Sequence, residues 1–141
     1  MRKFIKFSKK GKTGLSLKSA PDIKSRIRQL IGGLQLDFLK SSRIFTYRSF
    51  NSTSRAYART WGFPKIWQMS LKENPAYIIE VISERFDKLS DKDQDKVLIH
   101  ELAHMPKNFS GSLLPHIRRG KRNFHDRVET LFAKYQKSKV S

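Results

Sequence analysis

Apolar residues recur along this chain with two different periods, and the switches between them outline its elements. After Pro21-Asp22, the residues Ile23, Ile27, Leu30, Ile31 and Leu34 return every three or four positions. That spacing predicts an amphipathic helix opening at the proline. Gly32-Gly33 weaken its end, and a second short helical piece is compatible with the residues through Leu39. From Arg43 to Ser49 the content becomes strand-like, with Ile44, Phe45, Thr46 and Tyr47 in a row. Ser52 and Ser54 are placed to cap a short helix through Ala56-Tyr57-Ala58-Arg59. Gly62-Phe63-Pro64 is a turn signal, and Trp67 to Leu71 alternates as a strand does. The strongest strand is Tyr77 to Ser83, bounded by Asn74-Pro75 and Phe86-Asp87.

Helical spacing then returns. Ser90 is a predicted N-cap with Asp91 and Asp93 in the first turn, which suits the positive end of a helix. Val97, Leu98, Ile99 and Leu102 make that helix apolar enough to be buried, and Pro106 ends it just past His104. Residues 109–112 are a loop. A final helix begins near Asn123, with Phe124, Val128, Leu131, Phe132 and Tyr135 on one face. The expected class is α+β, with a small mixed sheet packed on the N-terminal, central and C-terminal helices.

Length and charge refine the picture. The 141 residues suffice for one domain with one modest core. No Cys is present, so disulfides and thiolate metal sites are excluded. No apolar run reaches the length of a membrane span, and the basic N-terminus lacks the apolar stretch of a signal peptide. A soluble cytoplasmic protein is expected. The formal net charge is +18 and it is uneven. Residues 1–28 hold ten Lys or Arg against Asp22 alone, whereas residues 73–101 hold eight acids and four bases. Such an excess of positive charge favours a polyanionic partner, nucleic acid first.

Residues 1–20 are expected to be a basic flexible arm preceding a single domain over 21–141. The predicted phosphate contacts are Arg2, Lys3, Lys6, Lys9, Lys10 and Lys12 in the arm, and Arg118, Arg119, Lys121 and Arg122 before the last helix. Between Arg43 and Trp67, seven aromatics (Phe45, Tyr47, Phe50, Tyr57, Trp61, Phe63 and Trp67) interleave with basic residues. They are either a stacking surface for unpaired bases or core. Most are expected to be core.

The candidate chemistry lies at His100-Glu101-Leu102-Ala103-His104. Positions four apart share a helix face, so the two imidazoles can grip one Zn²⁺. Glu101 lies on nearly the same face and can take a proton from water at the metal, as a general base does. Three candidates can supply a third ligand: His116 first, His125 second and Glu129 third. The longer metzincin pattern fails, because its Gly and third His would fall at Lys107 and Ser110.

A wider set of features accompanies the motif. They are the strand Tyr-Ile-Ile-Glu-Val-Ile-Ser-Glu from Tyr77, then His-Glu-Leu-Ala-His, then Phe-Ser-Gly-x-Leu-x-Pro-His ending at His116, and a closing helix. The stretch from Tyr77 to Tyr135 thereby resembles the small metallopeptidases of archaea and phages, relatives of the SprT and Spartan type zincins. The resemblance implies a minimal zincin-like domain in which His100, His104 and His116 bind zinc and Glu101 is catalytic. Through the Spartan group it also implies cleavage of proteins bound to nucleic acid. The chain departs from SprT in having no Cys-based zinc ribbon, and Ile117 stands where Gly often follows the third ligand.

Two functions are compatible with these residues. One is a zinc metallopeptidase that associates with nucleic acid or nucleic-acid-bound protein. The other is a non-catalytic, zinc-stabilised protein whose basic termini bind RNA, rRNA on the ribosome included. A fourth protein ligand on the zinc, such as His125, would favour the second.

Overall fold

A computed structural model describes residues 14–116 and 123–140. Its elements run β1 (Ser16–Ser19), α1 (Pro21–Leu34), β2 (Ile44–Phe50), β3 (Ala58–Trp61), α2 (Lys65–Leu71), β4 (Tyr77–Ile82), α3 (Ser83–Phe86), α4 (Asp91–Ala103) and α5 (Phe124–Val140). The class is α+β, with a four-stranded mixed sheet in the order β1-β2-β4-β3. The two central strands are parallel, with Ile44 opposite Tyr77 and Thr46 opposite Ile79. β1 and β3 each pair antiparallel with the central strand beside them.

The core forms where the sheet meets the helices. Ile23, Ile27, Leu30 and Leu34 of α1 are fully buried, as the helical spacing requires. They join Ile44, Ile79 and Val81 from the sheet and Leu98, Ile99 and Leu102 from α4 in one cluster. α5 closes it with Phe124, Val128 and Tyr135, packing on α4 and α1. The Lys24 ammonium donates to the carbonyls of Ser41 and Ile44 and so ties α1 to the start of β2. Among the described residues no helix is long and apolar enough to cross a membrane.

Several expectations need correction. Ser16–Ser19, within the stretch read as an arm, is a strand paired with β2. No second helix runs through Leu39; residues 35–39 make turns that bury Leu39, and a single 3-10 turn, Ser41–Arg43, leads into β2. Ala58–Trp61 is a strand rather than the end of a short helix, because pairing with β4 outweighs the local Ser-Ala preference. Lys65–Leu71 is a helix rather than a strand: Pro64 stands at its N-cap position and Lys72 closes it in the left-handed conformation. Its alternating apolar residues Trp67, Met69 and Leu71 are exposed.

The seven aromatics between Arg43 and Trp67 are not core either. Phe45, Tyr57, Trp61 and Trp67 are exposed, and Tyr47, Phe50 and Phe63 are half-buried. The aromatics of the core come from elsewhere in the chain: Tyr77, Phe86, Phe109, Phe124 and Tyr135 join the aliphatic residues there. Arg2, Lys3, Lys6, Lys9, Lys10, Lys12, Arg118, Arg119, Lys121 and Arg122 lie outside the described residues.

Candidate metal centre

α4 carries the centre, and its start is fixed by Ser90, whose hydroxyl oxygen accepts from the Asp93 N–H. Leu98, Ile99, Leu102 and Ala103 bury one side of the helix. His100 and His104 are thereby turned together toward the opening, with ring centroids 5.1 Å apart. His116 reaches them from the segment after α4. Its Nε2 lies 3.0 Å from His100 Nε2, and one nitrogen from each of the three rings falls within 4.8 Å of the others. Phe124, at the first turn of α5, packs against all three imidazoles at 4.9, 4.4 and 4.8 Å and stacks on His104.

The segment bearing His116 is fastened by hydrogen bonds of its own. The Leu114 N–H donates to the His104 carbonyl at 2.7 Å. The Leu114 carbonyl in turn accepts from His104 Nδ1 at 2.7 Å. That bond puts the proton of a neutral His104 on Nδ1 and leaves Nε2 as the lone pair for a metal. Upstream, the Tyr77 hydroxyl accepts from the Gly111 N–H and donates to the Ser112 carbonyl, both at 2.8 Å. Gln68 Nε2 donates to Ser110 and to Phe63, and the Phe63 N–H donates to the Gly111 carbonyl. Gly111 has φ +96°, and a Cβ there would lie 2.4 Å from the Phe63 carbonyl oxygen. A side chain at Gly62 would meet the Gly111 carbonyl at 2.6 Å. The two glycines allow the backbones to touch, and the contact sets the path that ends at His116.

Glu101 is buried. Its Oε1 accepts from the Thr60 hydroxyl of β3 at 2.8 Å, and its Oε2 lies 4.0 Å from His100 Nε2. Burial pushes its carboxyl up to about 7, against the pull of the hydrogen bonds from Thr60. Burial and the neighbouring His104 and His116 push His100 down to about 4. Burial lowers His104 as well, and the Leu114 carbonyl partly restores it. Two of the imidazoles are thus held as neutral ligands at pH 7.

An open cleft of about 940 Å³ runs beside the histidines between β3, α4 and α5. Tyr57 and Ala58 line one wall, and Val97, Phe124 and Val128 line the other. The donor set fits a borderline metal such as zinc: three imidazoles, with no thiolate in the chain. The 3.0 Å between two Nε2 atoms is close to the roughly 3.3 Å expected across a tetrahedral zinc with Zn–N of about 2.05 Å.

The other ligand candidates stand apart. The His125 side chain is 78% exposed and lies 3.9 Å from Glu129, which pairs with Lys96. Thr60, Leu114 and Tyr77 carry the surroundings of the site. Tyr77 was marked only as the start of a strand, and nothing in the sequence marks Thr60 or Leu114. Thr60 is 41 residues from the glutamate it contacts, and helical or strand spacing is blind to such pairs. Phe124 was legible only as one member of an apolar helix face.

No curated protein and no solved structure matches the chain. A family model does: residues 15–136 match the family described as putative phage metallopeptidase. That span takes in every described strand and the whole histidine cluster, and the chain belongs to this metallopeptidase family.

Proposed function

We propose that the protein is a zinc-dependent peptidase that associates with nucleic acid or with nucleic-acid-bound protein. One observation carries the catalytic part. Three histidines converge with a buried glutamate beside them, and among the described residues no fourth His, Cys, Asp or Glu joins the group. A catalytic zinc keeps one position open, whereas a structural zinc is closed by four protein ligands.

His100, His104 and His116 would hold the ion, His104 through Nε2 because its Nδ1 is committed to Leu114. When bound, zinc would polarise a peptide carbonyl and acidify a water. Glu101 offers Oε2 on the side of the histidines to take the proton from the attacking water, and can return it to the leaving amine. Substrate has a natural seat on β3, which is an edge strand. The Ile82 N–H donates to the Tyr57 carbonyl. The antiparallel alternation then turns the backbone groups of Ala58 and Thr60 away from β4, the Thr60 N–H toward the Glu101 carboxylate, which leaves the Ala58 groups and the Thr60 carbonyl for a peptide. An extended peptide can add to that edge within the cleft.

The nucleic-acid part is supported by the +18 charge and the clustering of Lys and Arg at both ends of the chain. A zinc-loaded protein should cleave an unfolded protein such as casein, and a basic DNA-binding protein faster when that protein is bound to DNA. Glu101→Gln should abolish both. Zinc-loaded protein without hydrolysis of either substrate would leave the non-catalytic RNA- or ribosome-binding reading in its place.

A further inference from the structure

The contact between β3 and α4 assigns a role to a residue outside the motif. Thr60 Oγ1 lies 2.8 Å from Glu101 Oε1 and 3.3 Å from the Glu101 carbonyl. One hydroxyl therefore meets both the side chain and the backbone of the same glutamate. With Oε1 held there, the carboxylate is left with Oε2 on the histidine side, 4.0 Å from His100 Nε2. Glu has three rotatable side-chain bonds, and an unanchored carboxylate would spread over several rotamers. Among the described residues no other side chain donates a hydrogen bond to this carboxylate, and the backbone group that also bonds it belongs to Thr60 itself. Thr60 also sits on the edge strand, with its backbone turned away from β4.

We infer that Thr60 is a positioning residue that couples the two halves of the reaction. Its hydroxyl aims the proton-accepting oxygen of Glu101, and its backbone lies on the edge that takes the extended substrate. A peptide that pairs with β3 settles that strand, and with it the hydroxyl on which the glutamate is anchored. The inference rests on the peptidase reading above.

The test compares Thr60→Val, which keeps the shape and removes the hydroxyl, with Thr60→Ser, which keeps the hydroxyl. Both should hold one equivalent of zinc. Thr60→Val should lower kcat by about 10–100-fold with KM within about twofold, the size of effect that follows a small misplacement of a reacting group. It should also bind a peptide hydroxamate at least about tenfold more weakly, because the glutamate must accept the hydroxamate proton. Thr60→Ser should stay within about threefold of the parent in both. If valine unfolds the strand, Thr60→Ala against Thr60→Ser gives the same contrast. Equal loss in the hydroxyl-keeping and hydroxyl-lacking variants would overturn the inference, as would a Thr60→Val protein with unchanged kcat and hydroxamate affinity. A zinc-loaded parent protein that neither cleaves peptides nor binds the hydroxamate would instead overturn the peptidase reading, and this inference with it.

Discussion

His104 and Leu114 exchange two hydrogen bonds, one from the Leu114 N–H to the His104 carbonyl and one from the imidazole to the Leu114 carbonyl, both 2.7 Å. The first ties the segment of the third histidine to the end of α4. The second sets the tautomer of a ligand already on that helix. A single residue thereby fixes the distance between two histidines and the nitrogen that one of them presents.

The path of this segment should be sensitive at Gly111. A Cβ there would press on the Phe63 carbonyl and Gln68 Nε2, at a φ of +96° that favours glycine. Gly111→Ala should cost about 1–3 kcal/mol of stability. It should also weaken zinc by roughly 10–100-fold, as loss of outer support does at other metal sites. Thermal melting and a competitive chelator titration measure the two effects.

The ligand set itself is tested by removal. His100→Ala, His104→Ala and His116→Ala should each fail to retain one equivalent of zinc through gel filtration. His125→Ala should retain it, since that side chain is exposed and lies beside Glu129. Zinc retained by the His116 variant and lost by the His125 variant would reverse the assignment.

Glu101 should leave a signature in the stability of the metal-free protein. Its folded value near 7 lies above the ordinary 4.5, so the fold disfavours the ionised form. The destabilisation is absent below about pH 4.5, grows between 4.5 and 7, and is complete above 7. Glu101→Gln can still accept from Thr60. It should raise stability at pH 8 by up to about 3 kcal/mol and change it little at pH 4. Urea midpoints at the two pH values check the sign.

Binding to DNA or RNA should fall steeply with salt. Residues 2–13 contain six Lys or Arg. Six phosphate contacts at about 0.7–0.9 log units per log unit of salt give a slope of roughly 4–5. Deleting residues 2–13 should remove most of that slope and leave zinc content intact, because β1 and its pairing with β2 are kept. A flat titration of the intact protein would end the polyanion reading.

Much of the frame was legible because it follows from periodicity. α1, α4 and α5 carry apolar positions at helical spacing, β2 and β4 are short runs rich in β-branched and aromatic residues, and Ser90 marks its helix start by residue type alone. The misreadings arose where local pattern and tertiary context conflict. Trp67, Met69 and Leu71 alternate like a strand yet lie exposed on α2, and Ala58 to Trp61 is a strand only because β4 is there to pair with it. The aromatics from Phe45 to Trp67 look like core by composition, but aliphatic residues and a different set of aromatics, Tyr77, Phe86, Phe109, Phe124 and Tyr135, already fill the core. Of the site, His100, Glu101 and His104 were written in one helical turn, whereas His116 is gathered beside them by the fold of the segment after α4. Thr60 and Leu114 act through contacts between distant segments, which no single-residue property announces.

The contact between Gly62 and Gly111 also bears on how such a sequence can diverge. Each glycine is required by the backbone around the other: one would strike the Gly111 carbonyl and the other the Phe63 carbonyl. A substitution at either position becomes tolerable only after the opposite strand of chain has moved. Change along this seam is therefore expected to be concerted rather than stepwise. In a library randomised at both positions, survivors with paired replacements and a shortened or lengthened loop should outnumber those with either replacement alone.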